Sequence, residues 1–261
     1  MKGQNAMPLE IVTIPCLSDN YAFLAHSAET GETALVDAPE AAPILAELSA
    51  RGWRLSHVLL THHHYDHVDG LAAILAQHPA QVVGAAADAH RLPPLDIQVA
   101  EGDTFEVGGE PVQVFDVSGH TLGHVAYYMP QSRAVFTADS LMALGCGRLF
   151  EGSAPQMWAS LGKLAALPDD TTVCSGHEYT QSNGKFAETI EPENPALQQR
   201  IADIARARAA GEPTVPSSLA LEKATNPFLR AAEPGIQANL GMTGADPAAV
   251  FAEIRARKDR F

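Results

Sequence analysis

The sequence predicts an α+β protein in which sheets covered by helices are followed by a helical C-terminal part. Short β-type runs recur between residues 21 and 175, and segments with helical periodicity lie between them. After about Tyr179 the β-type pattern ends, and helical segments follow that are joined by connections rich in Pro and Gly. With 261 residues and 46% hydrophobic content, the chain can bury a substantial core, as one large domain or as a domain with a smaller appendage.

The predicted strands are short apolar runs in which β-branched and aromatic residues recur, at residues 8–14, 21–26, 33–36, 57–61, 81–84, 112–117, 125–129, 134–138 and 172–175. Helices are predicted from apolar periodicity and from proline in the first turn, at residues 41–51, 68–78, 155–166, 195–210 and 247–260. Residues 1–6 are interpreted as an extension, and Met7 as an alternative start. We place a domain boundary after residue 178, which gives a catalytic domain at 1–178 and a helical domain at 179–261.

Composition excludes several functional classes. The formal net charge of −14 argues against a nucleic-acid partner, because binding to phosphates requires a basic surface. No apolar run approaches the roughly 20 residues that span a bilayer, and three widely spaced cysteines give no disulfide framework, so we expect a cytoplasmic protein with no membrane partner. The acidic excess lies in residues 1–195, with 8 Lys and Arg against 24 Asp and Glu, whereas residues 196–261 have 9 against 7. The C-terminal part could therefore receive an anionic ligand, although solvated helix faces of mixed charge explain the count equally well.

The most informative stretch is residues 61–70, which read THHHYDHVDG. Imidazole and carboxylate are the nitrogen and oxygen ligands that zinc and related ions accept. In an extended segment residues i and i+2 point the same way, so His62 and His64 can bind one ion while His63 faces away. Asp66 and His67 follow where the chain turns towards a helix and can address a second ion. A run of surface histidines or a tag remnant is the alternative, but it would lack the Asp and the strand and helix on either side.

Three further candidate ligands follow apolar strands, where a site built on a sheet collects its side chains from loops. These are His120, Asp139 and His177. Each alone would more often be a hydrogen-bonded core histidine or a helix-capping aspartate, but their recurrence beside the 61–70 stretch favours a metal site. His124, four residues after His120, is interpreted as a supporting or structural residue.

Together these four segments resemble the binuclear hydrolases of the metallo-β-lactamase superfamily. Within it the chain resembles glyoxalase II, the hydroxyacylglutathione hydrolases, along nearly its whole length, with support from GCGRLFEG at 145–152, GHEYT at 176–180, EPEN at 191–194, TNPFLR at 225–230 and RARKD at 255–259. The resemblance implies an αββα sandwich followed by a helical domain. It implies two divalent ions, zinc with iron or manganese as alternatives, held by His62, His64 and His120 on one side and by Asp66, His67 and His177 on the other, with Asp139 bridging.

The resemblance also implies a substrate. Glutathione would be contacted by Arg148, Tyr179, Arg255 and Lys258, and the reaction would be hydrolysis of S-(2-hydroxyacyl)glutathione thioesters, foremost S-D-lactoylglutathione, in methylglyoxal detoxification. Hydroxide formed at the metals would be the nucleophile, so no catalytic side chain beyond the ligands is expected. Phe150 departs from the family, in which many members have tyrosine, and we expect altered anchoring of the glutathione backbone.

Other functions share the motif. A lactonase or β-lactamase has less reason to keep the helical C-terminal part, and a persulfide dioxygenase would use one redox-active iron. A non-catalytic thioester or metal sensor would bind without turnover. Asp37, at the end of a strand, is either an orienting partner of a ligand histidine or an ordinary turn residue. We expect a monomer.

Overall fold

A computed structural model describes residues 7–261. Residues 1–6, interpreted above as an extension, lie outside the described residues. Contacts divide the chain into two compact units: the chain up to Asp116 with Gly123–Phe136, and Val117–Leu122 with Thr137–Phe261. These units follow spatial contacts, and the predicted boundary after residue 178 stays a prediction.

The first unit begins with a six-stranded sheet in the order β1-β2-β3-β4-β5-β6. Its first three strands are antiparallel and the rest run parallel to β3. The strands are β1 Glu10–Cys16, β2 Asn20–His26, β3 Thr33–Val36, β4 His57–Leu59, β5 Gln81–Ala85 and β6 Ile97–Val99. One face is covered by α1 (Ala41–Arg51) and α3 (Leu71–Leu75), whose buried side chains join the core cluster with Leu24, Leu35 and Val58. The buried strands explain the nearly continuous apolar runs in the sequence.

The opposite face of this sheet packs on antiparallel strands of a second sheet, which belong to this unit as far as Phe136. These are β7 Thr104–Val107, β8 Glu110–Asp116, β9 Val125–Met129 and β10 Ala134–Ala138. The Phe23 and Phe136 rings lie 5.7 Å apart, and the Tyr127 hydroxyl donates to the Leu60 carbonyl at 2.8 Å. Helices, sheet and second sheet therefore form successive layers within this unit.

The predicted helix over residues 68–78 is wrong as a single element. The structure has α2 (Tyr65–Val68) and α3 (Leu71–Leu75), separated at Gly70. A Cβ on Gly70 would lie 2.8 Å from the Ala41 nitrogen and 2.9 Å from the Ala38 oxygen, and the Gly70 amide donates to that oxygen. This close backbone approach fixes where the helix is interrupted, and periodicity contains no information about it.

The second unit contains most of the helices. It has α4 Ala154–Ala165, α5 Thr180–Ile190, α6 Pro195–Ala209, α7 Leu219–Thr225, α8 Pro234–Leu240 and α9 Pro247–Arg260, together with the short strands β11 Leu141–Met142, β12 Gly145–Cys146, β13 Thr172–Ser175 and β14 Ser217–Ser218. The predicted helices that become α4, α6 and α9 are confirmed. Both β6 and β7 were missed, as were α5, α7 and α8, because these segments are short or polar.

No helix among residues 7–261 is long and apolar enough to cross a membrane. The three cysteines, Cys16, Cys146 and Cys174, are buried free thiols.

Candidate metal centre and the 141–148 loop

The sheet of the first unit places Asp37 beside the histidine-rich loop. Asp37 directly follows β3 and residues 60–67 follow β4, and these parallel neighbours end at the same edge of the sheet. Asp37 adopts a positive φ of 58°, which aspartate tolerates better than most residues. Its Oδ1 accepts the Thr61 amide proton at 2.9 Å, and its Oδ2 lies 2.8 Å from both Thr61 Oγ1 and His67 Nδ1. The orienting role of Asp37 is therefore the better of its two interpretations.

Hydrogen bonds at Nδ1 direct the other nitrogen of two of these rings. Asp37 accepts a hydrogen bond from His67 Nδ1, and Thr61 Oγ1 lies 3.0 Å from His62 Nδ1. In each case Nε2 is the nitrogen that remains for a ligand bond. Both histidines are buried, and Asp37, His62 and His67 offer ligand atoms within 4.8 Å of one another.

His62 and His64 converge as the i, i+2 pattern predicts. His62 Nε2 lies 3.1 Å from His64 Nδ1, with the rings edge to face at 4.7 Å. Two nitrogen ligands at about 2.0–2.1 Å from a tetrahedral ion are roughly 3.3 Å apart, so this separation fits a shared ion. His63 is instead bonded through Nδ1 to Asp88. His124 is buried and stacks on His62 at 4.6 Å, which agrees with a supporting role.

Asp66 is held by a residue that sequence reasoning missed. Asn20 is 4% exposed, and its Nδ2 lies 3.0 Å from the Asp66 carbonyl oxygen and 3.2 Å from Asp66 Oδ2. The separation of 46 residues hides this contact from any local pattern. These two contacts from one amide fix the position of the Asp66 backbone and the orientation of its carboxylate.

The second unit brings together the other three predicted ligands. Asp139 Oδ2 lies 3.4 Å from His120 Nε2, and Asp139 Oδ1 lies 3.3 Å from His177 Nε2. One carboxylate thus addresses a different imidazole with each oxygen. All three side chains are buried, as is expected of groups that hold an ion away from bulk water. This arrangement fits a carboxylate that bridges two ions.

The backbone around Asp139 is tightly constrained. The preceding Ala138 has a positive φ of 40°, which costs an alanine on the order of 1–3 kcal/mol. A Cβ on Gly147 would lie 1.9 Å from the Asp139 carbonyl oxygen and 2.9 Å from His120 Nδ1. The carbonyl of Arg148 accepts from His120 Nδ1 at 2.8 Å, which turns His120 Nε2 towards Asp139. The loop that carries Arg148 therefore also orients a predicted metal ligand.

The five predicted substrate residues all lie in the second unit, in different environments. Phe150 is 61% exposed and stands edge-on to His120 at 5.2 Å, and Tyr179 is 40% exposed and stacks on His177 at 4.7 Å. The Arg148 side chain is exposed, with Nε 3.4 Å from Asp259 Oδ1.

Arg255 and Lys258 project from α9. Arg255 is buried, donates to the Cys146 carbonyl at 3.0 Å and lies over the Phe228 ring. Lys258 is half-buried, with Nζ 5.2 Å from the Phe186 ring centroid and 5.1 Å from that of Phe261. Burial lowers the pKa of Lys258 to about 8, with a smaller contribution from neighbouring Arg255. Arg255 thus binds the backbone at Cys146, whereas Lys258 Nζ lies 3.4 Å from the Ser182 carbonyl oxygen.

Side chains from several distant segments bind the backbone of residues 141–148, which we call the 141–148 loop. Asn226 donates to the Met142 and Gly145 carbonyls at 3.0 and 2.9 Å, and Asn183 donates to the Ala143 carbonyl at 3.0 Å. Glu222 accepts the Leu144 amide proton at 2.9 Å, and Arg255 binds the Cys146 carbonyl. Segments that are scattered in sequence therefore cooperate to fix one loop.

Comparison with known proteins first defines the class. The family model described as the metallo-beta-lactamase superfamily matches residues 19–177. The crystal structure of ETHE1 from Myxococcus xanthus is similar, with a TM-score of 0.63 and 26% identity over 97% of this chain and 98% of the other. A protein crystallised in a di-iron-bound form gives a TM-score of 0.58 and 29% identity over 84% of this chain and 100% of the other. The chain is a member of the metallo-β-lactamase superfamily, and the predicted fold class is confirmed.

The particular family follows from the C-terminal part and from the relatives. The model described as the hydroxyacylglutathione hydrolase C-terminus matches residues 178–261. A hydroxyacylglutathione hydrolase of Ruegeria pomeroyi is 71% identical over 255 residues, covering 98% of this chain and 100% of the relative. The chain belongs to the hydroxyacylglutathione hydrolase, or glyoxalase II, family. The prediction of a metal-dependent hydrolase is thereby confirmed, and the His and Asp clusters support divalent metal binding.

Proposed function

We propose that this protein hydrolyses S-(2-hydroxyacyl)glutathione thioesters, foremost S-D-lactoylglutathione, to the hydroxy acid and glutathione. The observation that carries the proposal is Asp139, whose two oxygens address His120 and His177 separately. Support comes from the family and from the relative of Ruegeria pomeroyi, which is named for this substrate class.

We assign two divalent ions to the seven predicted ligands. His62, His64 and His120 would hold one, Asp66, His67 and His177 the other, and Asp139 would contact both. The donor set fits, because imidazole nitrogens and carboxylate oxygens suit zinc, iron and manganese alike, and the rings of His62, His67 and His120 are oriented by hydrogen bonds at Nδ1. Zinc is our first assignment, and the di-iron form of one structural neighbour makes iron the main alternative. When bound, such ions supply the Lewis acidity that generates hydroxide near neutral pH and polarises an acyl carbonyl.

The chain itself contributes orientation and binding. Asp37 and the Arg148 carbonyl hold protons on the Nδ1 atoms of His67 and His120, so that each ring presents Nε2. No general acid is required, because the leaving group is the glutathione thiol, which has a pKa of about 8.5 and departs as thiolate. Catalysis therefore depends on the ligand set and on how the thioester is positioned.

Substrate positioning is assigned to the second unit. Arg148, Tyr179, Arg255 and Lys258 would bind glutathione, with residues 179–261 as the glutathione-binding domain. Lys258 supplies a cation for a carboxylate, and Arg255 acts at least in part through the Cys146 carbonyl. Phe150 presents an exposed ring where many family members have a hydroxyl.

The decisive experiment measures loss of thioester absorbance from S-D-lactoylglutathione and the metal content of the same sample. We expect rapid cleavage with about two metals per chain. Two metals without cleavage would move the substrate towards lactones or other esters. Oxygen consumption with a single iron would identify a persulfide dioxygenase, and binding without turnover would identify a sensor.

Variants separate the two roles. His62→Ala or Asp139→Ala should abolish turnover with loss of metal, whereas Arg255→Ala should mainly raise KM. Arg257→Ala is the matched control for Arg255, because it lies on the same helix and pairs with Glu253. An unchanged KM in Arg255→Ala would refute our placement of glutathione. The monomeric state and the cytoplasmic location stay predictions.

A further inference from the structure

The strongest feature outside the predicted ligand set is a buried carboxylate beside the histidine-rich loop. Asp88 ends a short 3-10 helix, Ala86–Asp88, that follows β5, and it is 1% exposed. Its Oδ2 lies 2.8 Å from His63 Nδ1, and its Oδ1 accepts from Arg91 through Nε at 2.8 Å and through Nη2. A buried carboxylate is retained only when such partners compensate for lost hydration.

Asp88 also contacts a second segment next to a ligand. A Cβ on Gly123 would meet Asp88 Cγ at 2.4 Å and Asp88 Cβ at 2.5 Å, so this carboxylate packs directly against a residue that must be glycine. The next residue, His124, stacks on His62 with the ring planes 14° apart. Asp88 thus contacts His63, which lies between two predicted ligands. It also contacts Gly123, which precedes the histidine that stacks on His62.

His63 occupies the position that controls the separation of two ligands. It lies between His62 and His64, whose nitrogens are 3.1 Å apart, so the backbone conformation at residue 63 sets how these two side chains are placed relative to each other. The hydrogen bond between Asp88 and His63 Nδ1 restrains that residue through a contact that uses neither ligand. The ring is 17% exposed, so solvent competes little for this contact.

We propose that Asp88 is a positioning residue that acts through His63 to hold His62 and His64 at the separation a metal ion requires. This inference rests on the metal-dependent function proposed above. His63 is then a structural partner that cannot be exchanged freely, although it is not a ligand. Groups that hydrogen-bond directly to a ligand typically change metal affinity by about 10–100-fold, and Asp88 acts one residue further away, so we expect the lower end of that range.

The test measures Zn²⁺ affinity of the metal-stripped full chain by competition with a chromophoric chelator. Asp88→Asn keeps the shape but cannot accept from both His63 and Arg91, and His63→Phe keeps a ring without its donor. We expect each to weaken binding by about 10-fold. The double variant should lose no more than the larger single loss, because both substitutions break one interaction. Asp69→Asn is the control, since it removes an exposed carboxylate from the same 61–70 stretch and should leave the Zn²⁺ affinity unchanged.

Wild-type Zn²⁺ affinity in Asp88→Asn would overturn the proposal. It would also be overturned if the loss of affinity in the double variant equalled the sum of the two single losses in free energy. If Asp88→Asn fails to fold by circular dichroism, His63→Phe decides alone: a loss of affinity supports the proposal and wild-type affinity refutes it. The readout is metal binding, so it is independent of the substrate. Wild-type protein that binds metal but does not cleave the thioester would refute the proposed substrate and leave this test intact.

Discussion

Glu222→Gln is the substitution whose effect the structure defines most fully. Glu222 is completely buried and accepts four hydrogen bonds. Its Oε1 accepts from Arg200 Nη2 and, at 2.6 Å, from Ser217 Oγ, and its Oε2 accepts from the Leu144 amide at 2.9 Å and from Asn226 Nδ2 at 3.1 Å. A glutamine amide would place a donor against two of these donors and would remove the negative charge.

The expected loss follows from the charge that remains. The Arg200 side chain is 5% exposed, so without Glu222 its guanidinium would be a buried cation lacking its anionic partner. Removal of one member of a buried ion pair typically lowers the free energy of unfolding by about 3–5 kcal/mol. At roughly 2–4 °C per kcal/mol for a protein of this size, the melting temperature should fall by about 6–20 °C.

Calorimetry and urea unfolding measure this loss, with Arg206→Ala as the control. Arg206 pairs with Asp203 at 70% and 51% exposure, and such exposed pairs contribute about 0–1 kcal/mol. A loss below about 1 kcal/mol in Glu222→Gln would refute the reasoning, because it would mean that the buried pair is not coupled to folding. KM for the thioester should rise as well if the proposed role of Arg148 is correct, since Leu144 and Arg148 lie in the same 141–148 loop.

Three further predictions concern the site. In Asp37→Asn the asparagine tolerates the positive φ, but His67 loses its anionic hydrogen-bond acceptor. Metal affinity, measured by competition with a chelator, should therefore be about 10–100-fold weaker. An unchanged affinity would contradict the orienting role of Asp37. Phe150→Tyr should lower KM with kcat unchanged, as measured by steady-state kinetics, if the family hydroxyl contacts glutathione; an unchanged KM would remove Phe150 from the binding surface. Because the pKa of Lys258 is lowered to about 8, its cation is present below that pH and is lost above it. KM should therefore rise as pH passes about 8, and Lys258→Met should have a high KM without this rise; a persistent rise in the variant would assign the titration to another group.

Local chemistry made much of the fold and site predictable. The His62 to His67 cluster could be read directly, because the i, i+2 alternation of an extended segment is a property of the backbone alone. Strand ends likewise indicated His120, Asp139 and His177, since apolar runs are bounded by the loops that carry polar groups.

Contacts between distant segments could not be predicted from local sequence patterns. Helix α5 was missed because its stretch TQSNGKFAETI is polar and contains glycine, and its helical state depends on the packing of Phe186 and Ile190. Asn20 was missed for a similar reason, because only the fold brings it to Asp66.

The sequence by itself determined the class of site, the order of its ligands and the change from strands to helices, because these follow from side-chain chemistry and from periodicities of two and 3.6 residues. Only the tertiary structure decided that the helix breaks at Gly70, that Arg255 is buried on the Cys146 carbonyl, and that Asp88 meets His63. Each of these depends on close packing between segments 25 or more residues apart, and hydrogen bonds and burial at such separations are set by the whole chain.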